Sequence, residues 1–232
     1  MRTLVLFFRA GVLLFALFAG CADVAGAAGP GAAAIPPGHG FAPPPPDDCS
    51  GGILYANHNG NFESAYAWTW YHDPYVNAFG ESYDLGMGQI SCGAFWLTTI
   101  GEVPPAPTEV YVWDGNDPPG AVLAMVQGVQ FQNLPVWPEF GVNLVPISLE
   151  VTRPFTIGYW SGFDGEPVWY IGADLDGFGG TPWTYAICGD YPDWCRVDYI
   201  WGPTQSIGIG VYFHSGPTPV EASSWGRIKS LY

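Results

Sequence analysis

Glu109-Val110-Tyr111-Val112-Trp113-Asp114-Gly115-Asn116-Asp117-Pro118-Pro119-Gly120-Ala121-Val122-Leu123-Ala124-Met125-Val126 is the stretch whose reading decides the fold. Valine, tyrosine and tryptophan favour a pleated strand. Asp114-Gly115 and Asp117-Pro118-Pro119-Gly120 are turn formers, because glycine accepts left-handed φ values and proline removes a backbone donor. A strand, a turn and a second strand follow.

The same alternation extends over the rest of the chain from Gly52. Strands are expected near Ile53–Asn57, Glu63–Tyr71, Glu81–Leu85, Gln89–Thr99, Val142–Leu149, Phe155–Ser161, Val168–Ala173, Trp183–Cys188 and Ile207–Phe213. Asn59-Gly60, Asp164-Gly165, Asp176-Gly177 and Gly179-Gly180 break the runs between them. Helical periodicity is missing, so the expected architecture is an all-β, antiparallel jelly-roll-like sandwich over residues 49–215.

Composition agrees. The 232 residues include 32 Gly and 23 Pro, which is costly for helices, and 16% aromatic residues, which need a core. Six Lys plus Arg stand against 21 Asp plus Glu, a formal charge of −15. Such a chain repels a phosphate backbone, which argues against nucleic acid as a partner.

The N-terminus reads as an export leader over residues 1–21. Arg2 and Arg9 precede the uncharged run Ala10–Gly20, too short to span a bilayer. Two processing sites compete. Phe18-Ala19-Gly20-Cys21 resembles a bacterial lipobox, which would make Cys21 a lipidated N-terminus and anchor the protein to a membrane. Ala25-Gly26-Ala27 fits ordinary signal peptidase. Residues 22–48, nearly all Ala, Gly and Pro, are an expected disordered tether. In residues 216–232, Trp225, Ile228 and Leu231 are spaced for one face of a short amphipathic helix.

Without Cys21, four cysteines remain, and these allow three pairings. Cys188 and Cys195 enclose a turn-like hexapeptide, so a hairpin disulfide is expected there, leaving Cys49 for Cys92. Buried free thiols are the alternative.

Glu81-Ser82-Tyr83-Asp84-Leu85, Cys92-Gly93-Ala94-Phe95-Trp96-Leu97, the Val110–Leu123 strand-turn-strand, Val145–Leu149 and Phe155–Tyr159 together resemble a bacterial extracellular jelly-roll surface module. The ending Ser-Trp-Gly-Arg-Ile-Lys-Ser-Leu-Tyr is similar to a C-terminal tail of other exported bacterial proteins. These resemblances imply a cell-surface or extracellular address.

Catalytic spacings are missing: there is no Gly-x-Ser-x-Gly elbow, His-Glu-x-x-His helix or Walker loop. His39, His58, His72 and His214 are the only imidazoles. Paired carboxylates drawn from Glu63, Glu81, Glu139 and Glu166 would suit a small secreted glycoside hydrolase. Oxygen-rich turns at Asp114 and Asp117 and at Asp174 and Asp176 are candidate calcium ligands, although Asx turns account for both. Tyr66, Trp68 and Trp70 alternate along one run and would share one sheet face, either core or sugar platform. Trp169, Tyr191, Trp194, Tyr199 and Trp201 cluster near turns and are the expected binding residues. The expected function is a non-catalytic extracellular binding or adhesion module that meets a glycan or protein partner through aromatic loops. The glycoside hydrolase is the alternative.

Overall fold

The computed structural model describes residues 33–34, 49, 52–68, 78–101, 107–160, 169–188 and 191–216. Cys21 and the leader, most of the tether, Trp70, His39, His72, Glu166 and the C-terminal helix expectation lie outside them. Among the described residues no helix is long and apolar enough to cross a membrane.

The chain is an all-β sandwich of two antiparallel sheets. In order the strands are β1 (Ala33–Ala34), β2 (Ile53–Ala56), β3 (Ser64–Tyr66), β4 (Ala78–Tyr83), β5 (Gly88–Thr98), β6 (Thr108–Asp114) and β7 (Val122–Val129). They continue as β8 (Gly141–Val151), β9 (Phe155–Trp160), β10 (Tyr170–Asp174), β11 (Pro182–Ile187), β12 (Pro192–Arg196), β13 (Ser206–Ile207) and β14 (Ile209–Ser215), with the short helix α1 (Val197–Trp201) after β12. Sheet A has the order β1-β2-β14-β5-β10-β13, with β8 also on β5 and β3 on β10. Sheet B has the order β12-β11-β4-β9-β6-β7.

The opening stretch is the β6–β7 hairpin at one edge of sheet B. Its turn is tied by Asp114 N to Ala121 O at 2.7 Å and by Gly120 N to Asp114 O at 2.6 Å. Of the expected Glu81–Leu85 strand, Glu81–Tyr83 belongs to β4, which starts three residues earlier at Ala78, while Asp84 and Leu85 follow its end; within the expected Glu63–Tyr71 the described strand is Ser64–Tyr66. Within the expected tether, Ala33 and Ala34 pair with Ala56 and Tyr55, so this part joins the sheet edge.

Alternation sorts the side chains. Ile90, Phe95 and Leu97 of β5 and Ile209, Val211 and Phe213 of β14 face Phe79, Tyr83, Phe155, Ile157 and Tyr159 of sheet B across one buried core. Past the bulge between Ile90 and Cys92, the even positions of β5 turn outward yet are also buried: Cys92, Ala94 and Trp96 form a second apolar cluster with Val142, Tyr212 and Cys49. A strand buried on both faces reads as a nearly continuous apolar run, as Cys92–Leu97 does.

Buried polar groups link the two sheets. The Tyr83 hydroxyl donates to Ile209 O at 2.6 Å, linking the two sheets. Glu81, fully buried on the inner face of β4, accepts from Asn57 Nδ2 at 3.0 Å, Thr181 N at 2.8 Å and Ile207 N at 3.0 Å. One carboxylate therefore fastens the segment after β2, the start of β11 and strand β13 to β4.

Both disulfides form as expected, Cys49–Cys92 with Cα atoms 5.4 Å apart and Cys188–Cys195 with 6.0 Å. Their sequence separations of 43 and 7 residues rank their effect on the unfolded chain. Non-reducing peptide mapping should recover these two pairs. Cys92→Ser should lower the unfolding free energy in urea by about 2–4 kcal/mol, and Cys188→Ser by less; equal losses would contradict the loop-closure account.

Candidate functional site

The outer face of sheet B is built on small residues. Its central strands point Ala78, Gly80 and Ser82 (β4) and Thr156 and Gly158 (β9) away from the core. A Cβ on Gly158 would lie 2.0 Å from Phe79 O, and one on Gly80 would lie 2.8 Å from Thr156 Cγ2 and 3.7 Å from the Trp113 ring. Bare backbone at these two positions lets rings from the flanking strands fold inward over the sheet.

Those rings form a layer. Trp113 from β6 and Trp183 from β11 are buried in it, the latter donating from Nε1 to Ser82 Oγ at 3.0 Å. Tyr111 stacks on Trp113 at 5.2 Å and 12°, and Trp194 meets Trp113 edge-on at 4.9 Å. Tyr185 joins Trp194 at 5.5 Å to Trp160 at 5.1 Å. Tyr111, Trp160, Tyr185 and Trp194 remain partly exposed. Each ring contact of this kind adds about 0.5–1.5 kcal/mol beyond area burial.

The pairing register arranges the face in rows. Trp194, Tyr185, Ala78, Trp160 and Glu109 are successive partners across β12, β11, β4, β9 and β6. Gln127 of β7 continues the row through Nε2, which donates to Glu109 Oε1 at 3.1 Å. The Tyr111 hydroxyl donates to Glu109 Oε2. Burial, then the neighbouring carboxylate, pushes the Tyr111 phenol up to about 12. On the other side, the Arg196 guanidinium lies 6.0 Å over the Trp183 ring and pairs with Asp198 at 3.3 Å.

The expected binding residues divide. Trp194 belongs to the ring layer. Tyr191 and Tyr199 are 80% and 77% exposed but share no ring contact with it among the described residues. Trp169 must be corrected: it is 1% exposed and packs on Phe131 at 5.3 Å, because it enters β10 facing the core. Trp201, on α1, stacks on Tyr66 at 4.9 Å and 13° and touches Trp68 at 5.2 Å, so it closes the core edge. Tyr66 and Trp68 are thereby core, not platform. Tyr111 and Trp160 were missed as candidate residues; their alternation with Val112 and Tyr159 was the available signal.

The carboxylates also sort themselves. Asp174 and Asp176 come together with Glu63, their oxygens within 4.8 Å of one another, on sheet A and its loops. This group could hold a calcium ion through oxygen ligands. Asp174 accepts from Asn59 N at 2.7 Å and Asp176 N at 3.1 Å, and Leu175 N donates to Glu63 at 2.8 Å. Burial, with Glu63 and Asp176 adding repulsion, pushes the Asp174 carboxyl up to about 6 against its two backbone donors. Asp114 and Asp117 stand outside the group, and Asp114 is held by Arg153 at 2.7 Å. Of the four glutamates considered for acid–base work, Glu81 is enclosed in the core and Glu139 sits after a turn at Trp137-Pro138.

Two buried groups set opposing pH dependences. Desolvation lowers the His58 imidazole, wedged between Phe62 and Trp96, to about 3. Desolvation raises Glu81 to about 7 despite its three N–H donors and Arg196. The folded state thus binds fewer protons than the unfolded one at His58, so this contribution is lost as pH falls from 6.5 towards 3. At Glu81 it binds more, so that contribution is lost as pH rises from 4.5 through 7. Denaturation between pH 4.5 and 6.5 should show stability rising with pH more steeply in Glu81→Gln than in wild type, and falling with pH in His58→Phe. Parallel profiles for all three proteins would refute this assignment. Comparison of the chain with protein-family descriptions, curated proteins and solved structures finds no match.

Proposed function

We propose that the chain is an exported, non-catalytic binding module that takes an extracellular glycan on the aromatic outer face of sheet B. The observation that carries this is the ring layer itself: four partly exposed aromatic side chains gathered over a glycine-bearing floor, with a carboxylate and an amide at the end of their row. Flat apolar surface bordered by hydrogen-bonding groups matches a sugar, whose C–H face is apolar and whose rim carries hydroxyls. Both disulfides are compatible with an extracellular protein. The leader supports export, and Cys21 would supply a membrane anchor if lipidated.

A binding face and a hydrolytic site differ in what they require. Hydrolysis needs a proton-donating acid and a second carboxylate flanking the bond to be cut. The group with one raised carboxyl, Glu63, Asp174 and Asp176, belongs to sheet A, away from the rings. The binding reading therefore takes precedence over the glycoside hydrolase.

Trp194→Ala should weaken glycan binding at least tenfold, about 1.4 kcal/mol, with the melting transition retained. Tyr199→Ala should change affinity less than twofold, and Trp169→Ala should unfold the domain by removing about 3–5 kcal/mol. Reducing-sugar release that vanishes in Asp174→Asn would replace this reading with the hydrolase.

A further inference from the structure

The row across sheet B has a polarity that constrains its ligand. It runs from Trp194 through Tyr185, Ala78 and Trp160 to Glu109 and Gln127, crossing all six strands. At about 4.8 Å per strand the row is about 24 Å long, room for several linked sugar rings. Rings occupy one part of it and hydrogen-bonding groups the far end.

The far end accepts hydrogen bonds. A carboxylate offers about four lone-pair sites. On Glu109, the Tyr111 hydroxyl and the Gln127 amide occupy one on each oxygen, and among the described residues the others are left for donors from a ligand. Those two bonds also fix the orientation of the carboxylate before any ligand arrives. The Gln127 side chain is exposed, and its amide carries a carbonyl oxygen that is a further acceptor. A group of hydroxyls can fill these acceptors, whereas a ligand carboxylate or sulfate cannot.

Charge points the same way. The full chain carries −15, and the described residues hold two cationic side chains, Arg153 and Arg196. Arg153 is paired with Asp114 and Arg196 with Asp198. Each arginine thus has a carboxylate beside it, and Glu109 borders the ring layer with negative charge.

We propose that the face selects an uncharged polysaccharide, laid across the strands with its rings on Tyr185 and Trp160 and its hydroxyls donating to Glu109 and Gln127. This rests on the face being a glycan-binding surface, and it makes Glu109 the residue that determines specificity. A polyanionic chain is excluded by the carboxylate that orients the neutral one.

Affinity electrophoresis of the full chain tests both levels, using hydroxyethylcellulose and galactomannan as neutral probes and polygalacturonate and dextran sulfate as anionic ones. Retardation by at least one neutral probe, none by the anionic probes at low ionic strength, and at least tenfold weaker retardation for Glu109→Gln is the expected result. Glu109→Gln is isosteric and lies at the rim, so the melting transition should not move. Retardation by the anionic probes, or neutral binding unchanged in Glu109→Gln but lost in Trp194→Ala, would overturn the selectivity and leave the face standing. Binding to any probe that survives Trp194→Ala and Tyr185→Ala together, or no binding to any probe, would overturn the face as well.

Discussion

A sandwich of two sheets has one shared interior, and a chain that is 16% aromatic carries more ring surface than that interior can hold. Everything distinctive in this structure follows from where the surplus goes. Phe79, Tyr83, Phe95, Phe155, Tyr159, Trp169 and Phe213 fill the space between the sheets. Trp96 and Tyr212 are buried with a disulfide outside sheet A. A third group, Tyr111, Trp113, Trp160, Trp183, Tyr185 and Trp194, lies on the outside of sheet B, where Gly80 and Gly158 give it a floor. Apolar area is stabilised by leaving water at roughly 25 cal/mol per Å², and the ring layer collects part of that gain while keeping some of its surface wet.

The interior has a polar fastening that complements this distribution. Glu81 is expensive to bury, and its three N–H donors, drawn from both sheets, are what make the burial tolerable. Because its donors come from residues 57, 181 and 207, the carboxylate is satisfied only when distant parts of the chain have assembled. It favours one arrangement of the sheets over near-equivalents, at an electrostatic cost. His58 stands in contrast, a neutral imidazole whose ring nitrogens have no hydrogen-bond partner among the described residues, held among aromatic neighbours.

Much of the fold was legible in the sequence because strand and turn signals are local. Asp114-Gly115 and Asp117-Pro118-Pro119-Gly120 marked the β6–β7 turn, and the cysteine spacing marked the β11–β12 hairpin. The site was less legible because it depends on register, which joins residues far apart in the chain. No local feature says that Trp160 lies beside Ala78, or that Ala78 lies beside Tyr185. Trp169 and Trp194 look alike in sequence, yet one enters β10 facing inward and the other lies on the outer side of β12. Glu63 precedes Asp174 by over a hundred residues, so its place in the carboxylate group could not be read from spacing. Helix α1 is five residues long and leaves almost no periodic signal.

The hairpin that carries Trp194 sets how such a face can change over time. It occupies the border strand of sheet B and is closed upon itself by Cys188–Cys195, whereas the interior is secured elsewhere by Glu81 and by Cys49–Cys92. The proposed binding face and the architecture are thereby anchored at different points. A lineage could exchange the side chains displayed on this border, resculpting what the surface admits, while leaving untouched the residues on which assembly of the domain relies.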